Sequence, residues 1–129
     1  MEQSKKTILL VDDDISFLDE TKKMLEEASY KVGVCSRPAE SIFYIRKYKP
    51  DCVILDLRMP AFEGQALLPW IRRQFPDLRI VICTGLTDYE RDQFPKFNVE
   101  HIIAKPFTHE LFFKTIEAAI NGTPIKKAA

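Results

Sequence analysis

Thr7-Ile-Leu-Leu-Val11, Asp51-Cys-Val-Ile-Leu55 and Arg79-Ile-Val-Ile-Cys83 are short apolar runs rich in β-branched residues, and they constrain the fold more than any other feature. Such runs predict strands buried on both faces. Lys31-Val-Gly-Val-Cys35 and Glu100-His-Ile-Ile-Ala104 carry a weaker form of the signal. Between the runs, Leu18, Thr21, Leu25 and Ala28 recur at helical steps, as do Leu67 or Leu68 with Ile71 and Phe75, and then Phe112, Ile116 and Ala119. Each set gives a helix one apolar face. Pro38 suits a first helical turn, Pro50 and Pro76 close helices, and Asn121-Gly122 ahead of Pro124 ends the last one. Thr87 and Glu90 have capping-box spacing for a short fourth helix that Pro95 ends or kinks. Pro69 conflicts with a third helix starting near Gly64, because it removes a backbone donor and crowds residue 65. That helix is therefore expected to start late or to bend.

Strand and helix alternating over short connections imply parallel strands, right-handed crossovers and helices on both faces of an open sheet. The expected fold is α/β: a doubly wound five-stranded parallel sheet, flavodoxin-like, strand order 2-1-3-4-5, in three layers. Ligands in such a fold sit beyond the carboxyl ends of the strands. A chain of 129 residues is the size of one domain. Residues 1–129 are read as a single domain with its core over about 6–122, the segment 123–129 being a tail or linker.

Composition excludes several classes. The chain is 46% hydrophobic and 29% charged, which fits a folded globular protein and not a disordered one. No apolar run approaches the roughly 20 residues needed to span a bilayer, and the amino terminus lacks the apolar core of a signal peptide. With 19 basic against 19 acidic residues, overall charge does not point to nucleic acid. Cys35, Cys52 and Cys83 are odd in number and widely spaced among strand-like residues, which predicts buried, reduced thiols and a cytoplasmic location.

The strands run directly into chemistry. The first leads into Asp12-Asp13-Asp14, the third into Asp56, the fourth into Thr84-Gly85 and the fifth into Lys105-Pro106. In a parallel sheet these junctions share one edge. Neighbouring carboxylates repel by about 4 kcal/mol per pair at 4 Å and an effective dielectric near 20, so positive charge must compensate. Oxygen-only donors suit Mg²⁺, and the absence of His or Cys from the set disfavours zinc. A carboxylate can also carry a phosphoryl group covalently. The metal and Lys105 would then offset charge on the transferring group, Thr84 would donate a hydroxyl to it, and Gly85 would leave room for close approach. Taken singly, each residue has a plainer reading. Asp13 or Asp14 can cap a helix, Asp56 can be a solvated loop residue, Thr84 a turn residue and Lys105 a surface lysine. Their joint placement at successive strand ends favours a shared site.

The motifs Leu9-Leu-Val-Asp-Asp-Asp14, Asp56-Leu-Arg-Met-Pro60 with Gly64, Thr84-Gly85 and Lys105-Pro106-Phe107 together resemble the receiver domains of two-component signalling. The resemblance extends from about Lys6 to Gly122. It implies that Asp56 is the phosphoacceptor, Asp13 a direct Mg²⁺ ligand, Asp12 a ligand through water, and Arg58 a ligand through its backbone carbonyl. Thr84 and Lys105 would contact the phosphoryl group, the Lys105-Pro106 peptide would be cis, and Asp14 would be a helix cap or outer charge. The donor would be a phosphohistidine on a sensor histidine kinase or a histidine phosphotransfer protein. Hydrolysis would reset the switch. Signal would pass through the surface of the fourth helix, fifth strand and fifth helix to an output domain or downstream protein, and a homodimer formed on phosphorylation is compatible with it. Direct nucleic-acid or membrane binding and turnover of an external substrate are not expected.

One position departs from the pattern. Three residues before the lysine, many receivers carry a Tyr or Phe that swings between two rotamers, and here the residue is Ile102. Hydroxyl movement at Thr84 remains available, with His101 or Phe107 as reporters. Two other functions compete. An aspartate-nucleophile phosphatase would need an acid two residues after Asp56, where Arg58 stands. A binding module that is never phosphorylated would usually lack one of the key groups, all of which are present. A dinucleotide site would need a Gly-x-Gly-x-x-Gly after the first strand, and none occurs.

Overall fold

The structure, a computed structural model, describes residues 5–56, 58–59, 62–85, 99 and 101–122. The five predicted runs form β1 (Thr7–Val11), β2 (Lys31–Cys35), β3 (Cys52–Leu55), β6 (Ile80–Thr84) and β7 (His101–Ala104). They make one parallel sheet ordered β2-β1-β3-β6-β7, which is the expected 2-1-3-4-5. β3 and β6 begin one residue later than their apolar runs suggested. At the first of these Asp51 is held outside β3 by exchanging hydrogen bonds with Thr7, whose backbone N–H donates to the Asp51 carboxylate at 2.8 Å. A short antiparallel pair, β4 (Arg58–Met59) with β5 (Phe62–Glu63), forms a separate two-stranded sheet after β3.

Alternate side chains along each strand enter opposite layers. Leu9, Val11, Val53, Leu55 and Ile82 pack with Ile42 and Ile45 of α2 (Ser41–Tyr48) and with Leu67, Leu68 and Ile71 of α3 (Gly64–Gln74). On the other face Ile8, Leu10, Ile54, Val81 and Ile103 pack with Leu18 and Leu25 of α1 (Ile15–Glu27) and with Phe112, Ile116 and Ala119 of α4 (His109–Ile120). Gly33 in β2 lies under the Tyr48 ring, where a Cβ would come within 2.8 Å of a ring carbon.

Helix ends follow local chemistry. Asp14 caps α1 by accepting from the Phe17 N–H at 3.1 Å, and Thr108 caps α4 by accepting from Leu111 at 3.1 Å. Pro38 opens a 3₁₀ turn (Pro38–Glu40) ahead of α2, and left-handed Lys49 with Pro50 ends that helix. Ala28, expected on the apolar face of α1, is instead its exposed C-cap. The expected late start of α3 is not observed, since the helix begins at Gly64 and contains Pro69. Pro69 sits only five residues in, so it removes one intrahelical donor while Leu67, Leu68 and Ile71 still reach the core. The predicted helix at Thr87–Glu90 lies outside the described residues. Among the described residues no helix is long and apolar enough to cross a membrane.

Candidate functional site

Register alone brings the strand ends together. Val11 pairs with Leu55 and Thr84 with Ala104, so Asp12 follows beside Asp56, and Lys105 follows beside Gly85, next to Thr84. Backbone bonds continue the ladder past the strands: Asp56 N–H donates to the Val11 carbonyl at 3.0 Å, Asp12 N–H to Cys35 at 3.1 Å, and Lys105 N–H to Thr84 at 3.0 Å. The side chains are thus held by sheet geometry, not by loop conformation.

Lys105 Nζ lies 2.7 Å from Asp12 Oδ2 and 3.1 Å from Asp56 Oδ2, donating to both. The Thr84 hydroxyl donates to the other Asp56 oxygen at 2.8 Å. Asp12 Oδ1 accepts from the Asp14 N–H at 2.9 Å. Asp12, Asp56 and Thr84 are buried, whereas the Lys105 side chain is 25% exposed, leaving a route to solvent at the ammonium. The Lys105-Pro106 peptide is cis.

Burial raises the Asp12 pKa, and the nearby Asp56 charge adds to this, against the lowering effects of Lys105 and the Asp14 N–H. Burial also pulls the Lys105 pKa down, but hydrogen bonding and charge from Asp12 and Asp56 outweigh it and the net shift is upward. Lys105 therefore remains an ammonium at neutral pH. Cys83, just before Thr84, is pushed up to about 12 mainly by burial, which makes it an inert thiol.

Of the residues singled out in the sequence, Asp12, Asp56, Thr84 and Lys105 converge directly. Asp13 is exposed at the same edge, but it does not join Asp12 and Asp56 in a three-carboxylate cluster, and no such metal-ready group of His, Cys, Asp or Glu occurs among the described residues. Asp14 is the α1 cap. Arg58 contributes backbone to the short β4–β5 pair. His101 lies at the far end of β7 from Lys105 and takes no part.

One participant was not read from the sequence. The Phe17 ring lies against the ammonium, with Lys105 Nζ 4.0 Å from its centroid. Its helical position beside Leu18 was visible, but a ring on a lysine distant in sequence leaves no local signal.

A family model for the response regulator receiver domain matches residues 8–117. The chain belongs to that family. This receiver domain is 35% identical over 117 residues to the regulatory protein VanRB of Enterococcus faecalis, covering 88% of this chain and 51% of the relative. It spans about half the length of the curated relatives it matches. Among solved structures it is similar to a CheY-like receiver domain protein from Methanospirillum hungatei, with TM-score 0.85, 27% identity, and coverage of 92% and 96% of the two chains. It also resembles the non-phosphorylated HemR receiver domain from Leptospira biflexa, with TM-score 0.83, 28% identity and coverage of 97% and 100%.

The family implies Mg²⁺, and the donor chemistry fits it. Asp12 and Asp56 bring two carboxylates to a single ammonium, which leaves net negative charge, and all the donors are oxygen. Mg²⁺ is typically held by one or two carboxylates together with waters and phosphate oxygens.

Proposed function

We propose that this receiver domain accepts a phosphoryl group on Asp56. The observation that carries the reading is the bracing of the Asp56 carboxylate, one oxygen by Thr84 and the other by Lys105. A carboxylate oxygen of Asp56 attacks phosphorus, and the bond to the donor breaks with its electron pair leaving on the donor. The donor is a phosphohistidine of a sensor histidine kinase or a histidine phosphotransfer protein. Thr84 and Lys105 then donate to the phosphoryl oxygens, stabilising charge that develops during transfer. Attack of water on phosphorus releases inorganic phosphate and restores the carboxylate. Asp12, Asp13, Asp56 and the Arg58 backbone carbonyl would hold Mg²⁺, which supplies positive charge beside the phosphoryl oxygens when bound.

The domain acts as a signalling switch that promotes its own phosphorylation and dephosphorylation and turns over no external substrate. Phosphorylation shifts a pre-existing equilibrium at the face to which β7, α4 and the expected fourth helix, itself outside the described residues, would contribute, and the recipient is an output domain or a downstream protein. The relatives' roughly double length supports an output domain in such proteins. We take the chain as one receiver domain with its core over 6–122, cytoplasmic in keeping with its free, buried cysteines.

The test is intact mass after incubation with Mg²⁺ and acetyl phosphate, for wild type and Asp56→Ala, with and without a chelator. A single phosphoryl adduct is expected in wild type with Mg²⁺ alone. An adduct that persists in Asp56→Ala, or no adduct at all, overturns the assignment.

A further inference from the structure

A lysine ammonium has three N–H donors on a flexible four-carbon stem, and holding it in one place costs rotamer entropy. In this receiver two of those donors are taken by Asp12 and Asp56. The ammonium also meets the Phe17 ring at 4.0 Å from its centroid, within the range of a cation–π interaction. The ring is itself tightly placed. Asp14 accepts a hydrogen bond from the Phe17 N–H, and Asp14's own N–H donates to Asp12 Oδ1. The segment from Asp12 to Phe17 thus supplies both a carboxylate and a ring to the same ammonium. On its other contacts Phe17 meets Phe107 edge-to-face at 6.2 Å, and Phe107 stacks on Phe112 at 4.8 Å. Phe112 is fully buried, so the row of rings is anchored in the core.

We infer that Phe17 is a positioning residue for phosphoryl transfer: its ring face holds the Lys105 ammonium over the Asp56 carboxylate, ready for the incoming phosphoryl oxygens. The inference rests on Asp56 being the phosphoacceptor. Transfer requires Lys105 to exchange a carboxylate contact for a phosphoryl contact, and at that moment the ring is the neighbour that does not change. A leucine at position 17 would keep the apolar packing against Phe107 and lose the quadrupole that attracts the cation.

The experiment measures the initial rate of adduct formation with acetyl phosphate and Mg²⁺ for wild type, Phe17→Leu and Phe17→Tyr, each also with Lys105→Met. Removing the ring should slow the wild-type reaction by about threefold to thirtyfold. Phe17→Tyr, which keeps a π face, should stay within about twofold. With Lys105→Met the Phe17→Leu effect should vanish, as a double-mutant cycle requires for a residue acting through the lysine. Lys105 side-chain proton shifts give a second readout, independent of activity. The ring current of Phe17 should displace them, and Phe17→Leu should return them to ordinary lysine positions. This arm decides if the Lys105→Met variants form no measurable adduct. Equal rates for leucine and phenylalanine at position 17, the same loss without the lysine, or Lys105 shifts unmoved by Phe17→Leu overturn the inference and leave the phosphoacceptor reading standing. No adduct in wild type overturns both.

Discussion

Two buried carboxylates share one ammonium at this site, an arrangement that favours reactivity over stability. Asp12 is held above the ordinary carboxyl range mainly by burial, and Lys105 offsets that cost only in part. Thr84 is the simplest of the four residues to test, because its hydroxyl makes a single bond to Asp56 and the side chain is otherwise enclosed. Thr84→Ala should slow adduct formation by about a hundredfold to a thousandfold, the range for losing one donor to a developing oxyanion. Thr84→Ser should restore most of the rate, and equal rates for alanine and threonine would remove the hydroxyl from the mechanism. In the sequence Asp12, Asp56, Thr84 and Lys105 were each legible as residues following a strand. Phe17 was not, because its contact with Lys105 spans most of the chain and depends on the angle at which α1 leaves the sheet edge.

Among the elements, α4 is tied down at both ends. Thr108 caps its start, and at its end the Arg79 guanidinium donates to the carbonyls of Ala119 and Ile120, satisfying groups that a helix terminus leaves open. Gly122 follows with φ of 68°, and a Cβ there would stand 3.0 Å from an Arg79 nitrogen. Gly122→Ala should therefore destabilise the fold by about 1 kcal/mol through left-handed strain, measured as a lower denaturant midpoint with an unchanged slope. A midpoint equal to wild type would mean that this terminus yields at no cost. The Asn-Gly stop was visible in sequence, whereas its clasp by Arg79, the residue just before β6, was not. The β4–β5 pair escaped notice for a related reason, since two-residue strands are too short for any periodicity to register. Pro69 offered two outcomes, a late start or a bend, and the late start is not observed. Local propensity argued for a late start of α3, but burial of Leu67, Leu68 and Ile71 outweighs one missing hydrogen bond.

For the whole molecule, stability should fall in alkaline solution for a reason seated in the core. Cys52 is fully enclosed in β3, and burial pushes its thiol from 9.0 up to about 12. Across that window the folded state keeps the proton and the unfolded state releases it. Stability is thus intact below pH 9.0 and declines as pH rises towards 12, by up to about 1.4 kcal/mol per pH unit for one thiol. Denaturant melts over that range should show a shallower decline for Cys52→Ala, and an unchanged slope would count against burial of the thiol.

Signal output is also a property of the whole molecule. Ile102 in β7 stands where an aromatic rotamer is common in the family, and it pairs in register with Ile82, two residues before Thr84. Under the proposed function, with no swinging ring at this position, transmission would begin at the Thr84 hydroxyl and Lys105. Hydrogen exchange over residues 86–108 should change when a phosphoryl mimic is added with Mg²⁺. An unaltered profile would exclude that face as the output surface.

The order of strands and helices, the doubly wound class and the presence of acidic, hydroxyl and basic groups at strand ends were determined by the sequence alone, because hydrophobic period and strand-end placement are local properties. The tertiary structure decided which of those groups meet. Parallel register set Asp12 beside Asp56, the Lys105 side chain reached across to both, and the course of α1 laid Phe17 on the ammonium. Distances between side chains on different strands depend on sheet twist and on the angles at which helices depart. No local pattern of residues encodes these.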